Sequence, residues 1–97
     1  MNMQTNKKQK IVLLERQLLE NAGGLEGFMQ LKREIEFSLK SKKELHDMLD
    51  SSEPSKKVIA GEIEAQEIMM AQIEDSMESH NMSIVLIVRE LKNLKRK

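Results

Sequence analysis

Stepping alternately by four and three residues from Ile59 reaches Ile63, Gln66, Met70, Ile73, Met77, His80, Ile84, Ile87, Leu91 and Leu94. Nine of these eleven positions are apolar, over five heptads without a slip. A spacing that averages 3.5 residues keeps one edge of an α-helix turned toward the same neighbour. With no proline after Pro54, the pattern predicts a single helix over about 53–95, roughly 60 Å long at ~1.5 Å per residue. Alone, such a rod would leave its apolar edge in water. It has to pair.

The first half of the chain supplies a neighbour. A helix over about 6–21 carries Ile11, Leu14 and Leu18 on one face, with Val12 and Leu19 beside it. Asn21-Ala22-Gly23-Gly24 is expected to stop or bend it, because paired glycines are poor helix formers and good C-terminal caps. A second helix over about 25–50 places Phe28, Leu31, Ile35, Leu39, Leu45 and Leu49 on one stripe, and Asp50-Ser51-Ser52-Glu53-Pro54 reads as a turn and helix start. The expected fold is therefore all-α: an antiparallel, coiled-coil-like helical hairpin in which two shorter helices fold along one long C-terminal helix. Residues 1–97 form one domain with frayed basic termini. With the turn near residue 52, residue i faces residue 104 − i, which sets Gly23-Gly24 against His80-Asn81. Gln66 and His80, polar on an apolar seam, are expected to fix register. The β-branched run at 82–88 could instead form a strand with 11–14. The heptad passes through Ile84 and Ile87 in register with both sides, which favours helix.

At 84–88 every position is apolar, and Ile11-Val12-Leu13-Leu14 repeats the excess. One partner helix cannot cover a helix that is apolar on several sides. Self-association at the end carrying the termini would cover it, giving a dimeric four-helix bundle. The residues assigned to that interface, or to docking of a different protein, are Val12, Leu13, Leu19, Val85, Leu86 and Val88.

A net charge of zero hides a segregation. Residues 11–88 hold eight bases against fifteen acids, and no Lys or Arg occurs from Val58 to Val88. Cations gather near the termini, where Lys8, Lys10, Lys92, Lys95 and Arg96 form a candidate contact patch for phosphates, anionic lipid or an acidic protein. Solubilising tails that complement a helix dipole are the plainer account. Nucleic-acid binding is possible but not favoured, since no stacking aromatic lies near either end. The acidic stretch would face Lys32, Arg33, Lys40, Lys42 and Lys43 on the second helix.

No chemistry stands out. The absence of cysteine removes thiolate catalysis and cysteine-based zinc sites. His46 and Asp50 share a helix face but lack further ligands, and Glu78 and His80 point in different directions. Gly23-Gly24 with Gly27 lacks the Lys-Ser/Thr of a phosphate loop. The longest apolar run, 84–88, is far short of the ~20 residues of a membrane span. These observations predict a non-enzymatic protein with no cofactor, no metal and no small-molecule substrate. Its partners would be a second copy and an unidentified protein, and its location the cytoplasm. The function expected is that of an adaptor, assembly factor or inhibitor. A nucleic-acid accessory protein is the alternative, and a small secreted helical hairpin or its chaperone a lesser one. The size also suits a regulatory protein, one carried by a phage or mobile element included.

Overall fold

The computed structural model describes residues 3–96, with side chains from Asn6 onward. Two helices account for almost all of it: α1, Met3–Met48, and α2, Pro54–Arg96. They fold back on each other as an antiparallel hairpin measuring 75 × 16 × 15 Å. At ~1.5 Å per residue the 46 and 43 residues of the two helices nearly span that length.

The seam on α2 lies where the heptad places it. All eleven positions from Ile59 to Leu94 are buried or half-buried, and residues 82–88 are helical, so the strand alternative is excluded. The facing pairs Ser38–Gln66, Lys42–Glu62 and Gly24–His80 each have residue numbers adding to 104, the register anticipated from the turn.

The first half departs from expectation. The separate helices over 6–21 and 25–50 are one helix, unbroken at Asn21-Ala22-Gly23-Gly24. No described glycine takes a positive φ, so neither Gly23 nor Gly24 acts as a left-handed cap. The reason is a seam that continues through them. Ile11, Leu14, Leu18, Asn21, Leu25, Phe28, Lys32, Ile35, Leu39, Lys42, His46 and Leu49 alternate by three and four, and every one is buried or half-buried. Two glycines cost a helix roughly 1 kcal/mol each relative to alanine, a small sum against packing along the whole rod. Leu31 and Leu45, expected on the stripe, lie beside it at 38% and 46% exposure. The described chain is helical from Met3 as far as Arg96; residues 1, 2 and 97, part of the termini expected to fray, lie outside the described residues.

Between the helices, Glu53 N–H donates to Asp50 O at 3.0 Å, and Lys56 Nζ reaches back to Leu49 O at 3.1 Å, satisfying a carbonyl at the end of α1. Pro54 opens α2, the position where its missing N–H costs nothing.

The seam holds two apolar blocks. Leu14, Ile87 and Leu91 pack with Ile11, Leu18 and Leu94 near the termini. Ile35, Leu39 and Ile73 pack with Phe28, Ile63, Met70 and Met77 toward the turn. Between them sits a polar node. Asn21 Nδ2 donates to Gln17 O at 2.8 Å, which turns Asn21 Oδ1 toward His80 Nδ1 at 3.0 Å, and that nitrogen must then carry the proton. The His80 ring is tilted against Phe28, centroids 5.6 Å apart, and lies over Gly24, where a Cβ would come within 3.0 Å of Cε1.

Gly23 has open space where a Cβ would go, whereas Gly24 does not. Gly23→Ala should therefore raise stability by about 0.5–1 kcal/mol. Gly24→Ala should fall short of that by roughly 1 kcal/mol, because the held imidazole has to shift. The shortfall should vanish in a His80→Ala background. Thermal unfolding followed at 222 nm checks this; equal gains at both glycines in the parent chain would refute the packing of His80 on Gly24.

Candidate functional site

The residues singled out for binding occupy the end where α1 begins and α2 finishes, and exposure confirms that the hairpin does not cover most of them. Val12, Leu13 and Leu19 are 58%, 52% and 75% exposed, and Val85 and Leu86 are 55% and 58% exposed. Val88 is half-buried. The six do not form one patch.

The ion pairs show how they divide. Glu15–Lys95 (3.6 Å), Lys43–Glu67 (3.3 Å) and Lys32–Glu74 (3.6 Å) line one flank of the hairpin; Lys10–Glu90 (3.0 Å) and Lys42–Glu62 (3.4 Å) line the other. Helix residues three, four or seven apart share a side. Val12 and Leu19 bracket Glu15, Val88 precedes Lys95 by seven and Val85 precedes Val88 by three, so these four belong to the Glu15–Lys95 flank. Leu13 follows Lys10 by three and Leu86 precedes Glu90 by four, so these two belong to the opposite flank.

One shallow groove follows the Glu15–Lys95 flank, and two others run across the outer face of a single helix from one flank to the other. Leu18, Val88 and Leu91 floor a groove of about 420 Å³ between the helices, edged by Lys92, Lys95 and Arg96. Here the apolar set and the cationic set meet. Elsewhere each helix presents its own strip: Val12 and Leu13 with Lys8 and Arg16 on α1, and Met82, Val85 and Leu86 with Arg89 on α2. Of the basic residues expected to form a contact patch, Lys10 and Lys95 are engaged with Glu90 and Glu15, while Lys8 and Lys92 edge grooves. Arg16 and Arg89 frame the apolar strips and were not among the residues expected from sequence. Their spacing of four from Val12 and Val85 was the available signal.

Gln66 Nε2 donates to Ser38 Oγ at 3.1 Å, and His80 pairs with Asn21. Both seam polar residues thus have a specific counterpart on the opposite helix, the arrangement a register residue needs. Among the described residues, no group of three or more His, Asp or Glu is placed to hold a metal, and His46 only approaches its neighbour Asp47, at 3.6 Å. No described helix is long and apolar enough to cross a membrane.

Comparison with models of protein families, with curated proteins and with solved structures finds no match to this chain.

A double-mutant cycle reads the polar node directly. Asn21→Ala and His80→Ala should each destabilise, with a coupling of about 0.5–1.5 kcal/mol from the shared hydrogen bond. Urea unfolding at one fixed protein concentration measures it. Strictly additive losses would mean the pair adds nothing to the seam.

Proposed function

We propose that this chain is a non-catalytic helical protein–protein interaction module, an adaptor, assembly factor or inhibitor that works in the cytoplasm by covering part of another protein's surface. It would do so as a coiled-coil dimer, in a four-helix bundle. The observation that carries the reading is the exposed area. The chain presents 7568 Å² to solvent, whereas a compact monomer of 11.2 kDa presents about 5,700 Å². None of the described side chains is fully buried. A hairpin two helices thick has almost no interior, so much of its apolar surface awaits a partner.

The edge of that surface describes the partner. Lys92, Lys95 and Arg96 edge the Leu18–Val88–Leu91 groove, and Val12 and Val85, each with an arginine four residues on, line separate shallow grooves at the same end of the hairpin. An amphipathic helix with an acidic margin fits such a groove: apolar anchors fill the floor and carboxylates meet the rim. A second reading, a nucleic-acid accessory protein, draws on the nine bases against three acids that lie outside residues 26–78. It predicts binding that falls steeply as salt rises.

A photo-crosslinking residue at Val85, in the full chain expressed in its source cells, should give an adduct of defined mass with a second protein. The same residue at Gln30, an exposed position away from the groove, should give none. Equal labelling from both positions, or none from Val85, would defeat the reading. Adducts with DNA or RNA from Val85, lost in high salt, would favour the second one.

A further inference from the structure

The flanks differ far more in charge than in exposed apolar residues. Following the three-and-four spacing out from the ion pairs, each flank comprises twenty-four positions, twelve on each helix. On the Glu15–Lys95 flank, from Lys8 to Asp47 and from Lys57 to Lys95, fifteen are charged. On the Lys10–Glu90 flank, from Lys10 to Met48 and from Ser55 to Asn93, only five are charged. Half of the fourteen exposed large apolar side chains among the described residues also lie there, from Leu13 and Leu86 at one end, through Leu31 and Met69, to Leu45, Met48 and Val58 near the turn. A low-charge face with apolar anchors along its whole length is unlike either outer edge of the rod.

We propose that a second copy of this chain covers the Lys10–Glu90 flank, lying along it end for end in a two-fold dimer. The inference rests on the interaction-module reading and gives the module its first partner. Area supports it. A face about 75 Å by 16 Å offers more than the ~800 Å² per partner of a standard stable interface. It also accounts for the excess exposure of the isolated hairpin.

Charge selects both the occupant and its direction. Residues 26–78, the turn half, carry seven bases and thirteen acids; the remaining residues, the terminal half, carry nine bases and three acids. The rod is thus about +6 at one end and −6 at the other. Two copies side by side with their termini together would set like ends against each other. The flank itself carries one base, Lys10, and four acids, so the partition acts as the long-range field of the whole rod: end for end, the basic half of each copy runs alongside the acidic half of the other, and a second copy matches this partition in length and sign. The two-fold axis would then pass near the middle of both helices. On this flank those midpoints fall between Gly24 and Gly27 on α1 and near Ser76 on α2, so no large side chain holds the copies apart where they cross.

This arrangement divides the six surface residues between two tasks. Leu13 and Leu86 belong to the dimer. Val12, Leu19, Val85 and Val88, on the other flank, stay open for a foreign protein.

Light scattering on the full chain should give twice the 11.2 kDa of one chain. Leu86→Glu, and separately Met69→Glu, should weaken the dimer at least 100-fold. Val85→Glu, a neighbour of similar exposure on the charged flank, should leave the dimer constant within about threefold. Helicity by circular dichroism confirms that each variant is folded. The chain has no cysteine, so a single spin label at Gln9→Cys reports direction. End-for-end pairing puts two labels about 50 Å apart along the axis, at ~1.5 Å per residue from the centre; termini together would put them within about 30 Å, roughly a bundle width. A folded monomer up to millimolar concentration, a dimer lost through Val85→Glu but not Leu86→Glu, or the short label distance each overturns the proposal. A monomer that still gives the Val85 adduct refutes the dimer alone. A dimer that gives no adduct refutes the foreign partner alone.

Discussion

Everything in this molecule depends on a single seam. Six described residues, Leu14, Ile35, Leu39, Ile73, Ile87 and Leu91, are the whole buried core, and each has the opposite helix as its main cover. A helix of ordinary length would not be stable on so little. Here the same modest contact is repeated about twelve times along 75 Å, and the gains accumulate while the turn needs only a few residues. Such a structure tolerates local imperfection, two adjacent glycines included, because no single contact is decisive. It also cannot hide apolar surface anywhere except along the seam. What the seam leaves out remains on the surface.

Repetition creates its own difficulty, since a regular apolar zipper can slide by a heptad at little cost. The polar interruptions oppose sliding. Displacing α2 by seven residues would separate Asn21 from His80 and Ser38 from Gln66 at once, leaving half-buried donors and acceptors without partners. The fit of the His80 ring over Gly24 adds a steric condition, because no other seam-facing position of α1 lacks a side chain. The exposed ion pairs are individually worth ~0–1 kcal/mol, but the five across the hairpin share one register and penalise the same displacement.

The two halves of the chain were unequally legible. In α2 nine apolar residues out of eleven spell the seam, so its length, helicity and register can be read directly. In α1 the same alternation passes through Asn21, Lys32, Lys42 and His46, residues a hydrophobic template rejects. Lys32 and Lys42 are half-buried at seam positions with their ammonium groups paired to Glu74 and Glu62, as a long side chain with an apolar stem and a charged tip allows. Counting only oily residues moves the stripe onto Leu31 and Leu45 and leaves Gly23-Gly24 as an apparent stop. The apolar surplus could be named from composition. Its division into two flanks could not, because in a run such as Ile84-Val85-Leu86-Ile87-Val88 every direction is apolar and only the opposing helix tells them apart.

That division bears on how many proteins such a rod can hold. If one flank is taken up by a second copy lying end for end, the two terminal grooves fall at opposite ends of the assembly, on its outer sides. Two-fold symmetry makes them identical, and their separation keeps a protein bound at one from touching a protein bound at the other. The pair would then act as a spacer with two equivalent sockets, its reach set by helix length and not by any flexible linker. A partner with an acidic helix would meet a cationic rim at each end and, inward along the same copy, its acidic turn half, which discourages it from sliding along the rod. The same charge partition that sets the direction of pairing therefore also confines the outer contacts to the ends.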